Sequence, residues 1–363
     1  MAKATLHIIG LPHTQTTHEF DHCAYTAKVR KFCGMMRAQG YEVILYAGDE
    51  NEADCDELVT CVPRAYQEKC YGDWWHRGEV QNVQWYGGDW DRFNQRAVHE
   101  LKSRVEQKDL ICLITGHPQQ EIISAFPEHL VVEFGVGYEG IAASFQVYES
   151  YAWMHCVYGA KQGPMTADGR FFDAVIPNYY DTEEFPECED PQDYYVFMSR
   201  MTPRKGYEVA IQATEELGVT LKIAGVGGDR PEASHVEYVG LVGPEERGKL
   251  LSQAKGVFMP TLYLEPFGGV AAEAMLCGTP VISSDWGAFP ELITQGVDGY
   301  RCRTMGEFIE AGERVEILDR RNIRNRAQAR FSLETVGAQY KEHFNRLGLL
   351  WDKGFYDTQK RRS

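Results

Sequence analysis

Apolar runs of strand length alternate with longer helical patterns along most of the 363 residues, and this restricts the chain to stacked βαβ units on parallel sheets. Leu6-His7-Ile8-Ile9 reads as a first strand, Ala24 to Gln39 as a helix closed by Gly40, and Glu42 to Tyr46 as a second strand. Leu110 to Ile114, Leu130 to Val132 and a strand-like Met154 to Tyr158 continue the pattern, whereas residues 50 to 108 are polar, rich in Trp and Tyr, and show no clear period. The pattern breaks at Val175-Ile176-Pro177-Asn178 and the acidic stretch Asp181 to Asp193, which reads as a linker. It restarts with Tyr195 to Met198, a helix over Tyr207 to Leu217, and strands at Thr220 to Ala224, Gly256 to Met259 and Thr279 to Ile282. The expectation is an α/β chain of two Rossmann-like domains, each binding ligands beyond the carboxyl ends of its strands.

A formal net charge of −16 argues against a surface that tracks phosphate backbones throughout, although it leaves a nucleic acid acceptor open. Arg320, Arg321, Arg324, Arg326 and Arg330 gather on one stretch and the chain ends in Lys360, Arg361, Arg362; a solvated helix face is expected here ahead of a binding patch. Ten cysteines without a CxxC pair fit reduced thiols and offer no zinc ribbon. The first apolar stretch is broken by Gly10 and Pro12, too early for a signal peptide or membrane span, so a cytoplasmic protein is expected.

The chemistry concentrates in Tyr263-Leu264-Glu265-Pro266-Phe267-Gly268-Gly269-Val270-Ala271-Ala272-Glu273, between a strand and a helix. Glycines there let a ligand approach backbone N–H groups at the positive end of the helix, and the two glutamates can accept from sugar hydroxyls. A surface Glu ahead of an Ala-rich core helix would carry the same letters. Upstream, Ser199-Arg200-Met201-Thr202-Pro203-Arg204-Lys205-Gly206 places cations in a turn after a strand, where they can grip a diphosphate. Ile223-Ala224-Gly225-Val226-Gly227 and Gly278-Thr279-Pro280-Val281-Ile282 complete an ordered set.

That set resembles the retaining glycosyltransferases of family four, the glycosyl transferases group 1, which have the GT-B fold of two Rossmann-like domains with parallel sheets facing across a cleft. The likeness runs over residues 170 to 305, from Val175-Ile176-Pro177-Asn178-Tyr179-Tyr180-Asp181 to Gly287-Ala288-Phe289-Pro290-Glu291. It implies an acceptor-side domain of residues 1–178, joined by a C-terminal helix of about residues 340–363, and a nucleotide-sugar domain of residues 179–339. Arg200 and Lys205 would neutralise the donor diphosphate, with the backbone of Phe267, Gly268 and Gly269, and Gly225, facing the donor. Glu273 would accept from the ribose hydroxyls, Glu265 would address the transferred sugar, and His117 would stand beside the reacting sugar. Gly137, Tyr138 and Thr16 fall on the acceptor side. The expected donor is a UDP- or GDP-sugar and the acceptor is unidentified; no cofactor is expected, and no obligatory metal, because Arg200, Lys205 and the helix N-terminus supply the positive charge.

Rival motifs exist. His18-Glu19-Phe20-Asp21-His22 satisfies the HExxH pattern of zinc hydrolases, with Glu42 or Glu50 as a third ligand, but the residues before it read as a loop. Gly135-Val136-Gly137-Tyr138-Glu139-Gly140 satisfies GxGxxG ahead of a helical pattern, as in an NAD(P)-dependent oxidoreductase, yet no acidic residue follows the next apolar run to hold a ribose. A nucleotide-sugar-binding protein without catalysis is the remaining alternative.

Overall fold

The structure is a computed structural model describing residues 4–72, 87–162 and 170–353. It divides into two compact units: Met1–Tyr148 with Asp168–Ile176 and Leu333–Ser363, and Glu149–Ala167 with Pro177–Ser332. Unit 1 carries β1 (Thr5–Ile9), α1 (Ala24–Ala38), β2 (Glu42–Gly48), β3 (Glu57–Val62), α2 (Arg64–Tyr71), α3 (Gly88–Leu101), β4 (Leu110–Leu113), α4 (Gln120–Ala125), β5 (Leu130–Val136) and β6 (Phe145–Tyr148). In chain order, α5 (Tyr151–Gln162) belongs to unit 2 and β7 (Ala174–Val175) to unit 1. Unit 2 continues with β8 (Tyr194–Met198), α6 (Tyr207–Leu217), β9 (Thr220–Ala224), β10 (Val236–Gly240), α7 (Pro244–Ser252), β11 (Gly256–Met259), α8 (Gly269–Leu276), β12 (Val281–Ser284), α9 (Phe289–Leu292), β13 (Gly299–Cys302), α10 (Met305–Arg314) and α11 (Arg320–Phe331). The last helix, α12 (Leu333–Lys353), returns to unit 1.

Each unit holds one parallel sheet, ordered β3-β2-β1-β4-β5-β6-β7 in unit 1 and β10-β9-β8-β11-β12-β13 in unit 2. Central strands such as β8 and β11 are buried at every position, which is why they read as unbroken apolar runs. In both sheets the strand order reverses beside the first strand, at β1/β4 and β8/β11, where doubly wound folds form ligand crevices. In unit 1, α12 packs on α1: Tyr340 meets Phe32 edge-on at 5.0 Å, and Phe32 stacks on Phe134 at 4.1 Å.

Two local expectations are corrected. Met154 to Tyr158 is not a strand but lies inside α5, whose first N–H groups, of Tyr151 and Ala152, donate to the Glu291 carboxylate at 2.8 and 2.7 Å. That cap comes from a distant part of the chain, and the helix buries Trp153 and Val157 on one face. Apart from the exposed Arg321, the arginine cluster is not a solvated face. Arg320 donates to the carbonyls of Cys188, Ser252 and Ala254, Arg324 to those of Phe185 and Leu276, and Arg330 to those of Glu291 and Leu292, while Arg326 pairs with Asp298 at 2.7 Å. Carbonyls at the ends of helices and strands need donors, and guanidinium groups supply several each. Within the stretch left without a clear period, β3, α2 and α3 are ordered elements, whereas residues 73–86 lie outside the described residues, as do Lys360, Arg361 and Arg362.

Candidate active site

The cation-bearing turn after β8 is held by two glycines. A Cβ on Gly225 would lie 1.8 Å from the Ser199 carbonyl oxygen, and one on Gly206, at φ +77°, would lie 2.0 Å from that of Pro260. Ser199 and Met201 donate their N–H groups to Ala224 and Val226 at 3.0 Å each, and Leu262 N–H donates to Arg204 at 2.9 Å. The turn is thereby stitched to the loops after β9 and β11.

The loop from Pro260 to Gly268 is clasped from the other side. Gly287, at φ +62°, lies so close that a Cβ would approach Glu265 N to 2.6 Å, and Ala288 N–H donates to the Glu265 carbonyl at 3.0 Å. This explains the Gly287-Ala288 step: it fixes the backbone that carries Glu265. Ser150 Oγ donates to the Pro266 carbonyl at 2.5 Å, and the Tyr180 hydroxyl to that of Gly269 at 3.3 Å.

Between these loops, at the β8/β11 switch point, lies a small pocket lined by Ser199, Lys205, Thr261, Glu265, Gly268, Gly269 and Val270 over a floor of Phe197, Met198, Phe258 and Met259. Lys205 Nζ donates to Glu265 Oε2 at 2.7 Å. The Tyr263 ring lies under Arg204 and Lys205, at 4.2 and 4.9 Å, and burial, followed by the nearby Glu265 carboxylate, pushes its hydroxyl pKa up. Arg200 is exposed. Among the described residues no acceptor takes the N–H groups of Phe267, Gly268 and Gly269, which open α8.

Further along α8, Glu273 is buried. Arg247 Nη1, from α7, donates to its Oε1 at 3.2 Å, and the carboxylate is the chief cause of the raised Arg247 pKa. Glu273 Oε2 is buried without a hydrogen-bond partner among the described residues. Tyr180 lies beside it, its hydroxyl held well above the ordinary tyrosine pKa by burial, then by Glu273 and Glu149. The arrangement offers cations and free N–H groups to an anion, and carboxylate oxygens to ligand hydroxyls. Lys205, Glu265, Gly268 and Gly269 therefore share one pocket. Phe267 is instead buried against Phe331, leaving only its backbone for a ligand, and Gly225 acts beneath the Arg200 turn. Arg247 escapes sequence reasoning because its pairing joins two separate helices, α7 and α8; Tyr180 and Tyr263 stand in quoted runs, without a role.

In unit 1, His117 is exposed just after β4, its N–H donating to the Gly140 carbonyl at 2.8 Å. Tyr138 donates its hydroxyl to the buried Glu133 at 2.8 Å, Gly137 is half-buried beside it, and Thr16 is buried, bridged to the loop after β2 by Glu52 N–H at 2.8 Å. The GxGxxG run does not open a helix: Gly135 and Val136 end β5, and the next element is the strand β6. Glu133 shapes this turn by accepting from the N–H groups of Ala142 and Ala143 at 2.9 and 3.0 Å. The HExxH run forms only a 3-10 turn over His18–Phe20, with Glu19 bonded to Arg64 and Asp21 to Arg30. It lacks the helix that would set its two imidazoles on one face, and no cluster of three metal-ligating side chains occurs among the described residues.

Comparison with known proteins places these loops. Residues 192–315 match the family of Glycosyl transferases group 1. The Arg200–Lys205 turn, Gly225, Arg247 and the Glu265–Glu273 segment all lie inside that match. An uncharacterized glycosyltransferase of Methanocaldococcus jannaschii, MJ1607, is 34% identical over 125 residues, 31% of this chain and 32% of the relative. The chain spans about a third of the length of the curated relatives it matches. Among solved structures, AviGT4, a glycosyltransferase involved in avilamycin A biosynthesis, superposes with a TM-score of 0.67 at 17% identity, covering 95% of this chain and 98% of its own. Anabaena HepE in complex with UDP-glucose gives 0.62 at 16% identity, covering 94% and 99%. The fold is GT-B, as the sequence resemblance implied. Among the described residues no helix is long and apolar enough to cross a membrane.

Proposed function

We propose that the protein is a retaining glycosyltransferase that moves a sugar from a UDP- or GDP-sugar to an acceptor. One observation carries this reading: the Lys205–Glu265 pair stands in a pocket with the open N-terminus of α8, while Glu273 further along keeps a buried oxygen unpaired. Lys205 and Arg200 neutralise the diphosphate, the Phe267–Gly269 N–H groups take phosphate oxygens, Glu273 accepts from ribose, and Glu265 addresses the sugar. HepE, of the same fold, binds UDP-glucose, which supports a UDP-sugar as the first donor to try. His117 is assigned to the reacting sugar, and Thr16, Gly137 and Tyr138 to the acceptor, on the family resemblance.

The reaction is a front-face displacement. The bond from the anomeric carbon to the diphosphate oxygen breaks as the acceptor oxygen bonds on the same face, and the acceptor proton passes to the departing diphosphate. The protein supplies positioning and charge stabilisation of the leaving group. Because Arg200, Lys205 and the α8 terminus provide positive charge, turnover is metal-independent and survives EDTA. We place the reaction in the cytoplasm, where the ten cysteines, all free thiols, stay reduced.

A hydrolysis screen over UDP- and GDP-sugars tests the reading. Release of nucleoside diphosphate from at least one sugar, lost in the Arg200→Ala/Lys205→Ala double variant, is expected. Each single change weakens diphosphate binding and slows transfer by about 2 to 4 kcal/mol if the site is dry. Undiminished diphosphate binding by the double variant in calorimetry rejects both assignments.

A further inference from the structure

We propose that Arg247 is a positioning residue that sets nucleotide specificity: by holding one oxygen of Glu273 it leaves the other for a ribose hydroxyl, so the site selects ribonucleotides over deoxyribonucleotides. The inference rests on the proposed donor site and adds to it a residue on a different helix.

The geometry is specific. Glu273 Oε1 accepts from Arg247 Nη1 at 3.2 Å, and Oε2 is buried with no hydrogen-bond partner among the described residues. A buried carboxylate oxygen without a donor is a standing cost that a ligand hydroxyl relieves. Arg247 reaches Glu273 from α7, which packs on α8, so the carboxylate is gripped from outside its own helix. The Tyr180 hydroxyl next to Glu273 donates to the Gly269 carbonyl. Glu184 adds a second negative charge near Arg247. A nucleotide lacking the hydroxyl that meets Oε2 leaves it unpaired, and sites built this way reject such analogues strongly.

The test is calorimetry on the full chain with UDP, GDP, their 2′-deoxy and 3′-deoxy counterparts, and inorganic pyrophosphate. The parent should prefer a ribonucleotide over at least one deoxy analogue by roughly 10- to 100-fold, the range for one buried hydrogen bond to a charged group. Arg247→Ala should lose most of that preference while binding pyrophosphate like the parent, and Arg247→Lys should restore part of it. With the sugar donor, Arg247→Ala should raise KM and change kcat little. An Arg247→Ala protein that keeps the full preference overturns the role of Arg247 and leaves the donor site standing. Equal loss of ribonucleotide, deoxynucleotide and pyrophosphate binding also overturns it, since that marks general damage. A parent that binds no nucleoside diphosphate overturns the donor reading itself.

Discussion

At the scale of single residues, the Lys205–Glu265 contact changes what each residue's loss should do. In the free protein Lys205 is neutralised by Glu265 at 2.7 Å, so a diphosphate must compete with that carboxylate for the ammonium group. Glu265→Ala should therefore leave UDP or GDP binding intact or tighter while turnover falls, because its proposed partner is the sugar at the reacting centre. Glu273→Ala should weaken the free nucleotide and the intact donor alike, by about 1 to 3 kcal/mol. Titration calorimetry and initial rates on the two variants separate these outcomes, and the reverse pattern would turn the ligand end for end. Gly206 makes a purely structural prediction. Its positive φ, and a Pro260 carbonyl oxygen that would lie 2.0 Å from a Cβ there, leave no room for a side chain, so Gly206→Ala should cost roughly 2 to 3 kcal/mol of stability in urea unfolding.

At the scale of elements, what the sequence disclosed follows from where each element is buried. Strands β8 and β11 were legible because parallel strands covered on both faces need continuous apolar residues, β9 because its buried Leu221 and Ile223 alternate with half-buried Thr220 and Lys222, and α6 because it keeps one buried stripe and ends at Gly218. The turn from Glu265 into α8 was legible as a loop-to-helix junction because its proline and glycines fall on consecutive residues just ahead of an Ala-rich helical run. Helix α5 was misread because its stabilising cap, Glu291, lies far along the chain, and the α11 arginines were misread because their carbonyl partners are scattered from Phe185 to Leu292. Pairings across folded space, such as Arg247 with Glu273, leave no local trace. Helix α12 carries a pH prediction. Burial pushes His343 down to about 4, and Nε2 has no partner among the described residues. The unfolded chain then binds the extra proton, so this stability is present above about pH 6.5 and is lost as pH falls through about 4, on the order of 3 kcal/mol in total. Unfolding free energies from pH 7 to 4 should show a slope that His343→Leu makes shallower by one proton.

At the scale of the whole molecule, the chain leaves unit 1 after Tyr148 and enters it for the last time at Leu333. Unit 1 is thus assembled from both ends of the sequence, with α12 covering Phe32 and Tyr41 of its first βα segment. A chain stopped after Ser332 should keep protected amides in β8, β9, β11 and β12 while those of α1 exchange rapidly; hydrogen exchange read by mass spectrometry tells the two apart. Synthesis runs in one direction, however, and this sets an order of events. All of unit 2 has been translated before the first residue of α12 exists, whereas unit 1, begun first, waits for the last helix with the Phe32 surface still uncovered. The half proposed to grip the nucleotide is therefore complete in sequence while its older neighbour still lacks α12, and the longest wait with an uncovered apolar surface falls on the part of the protein made earlier.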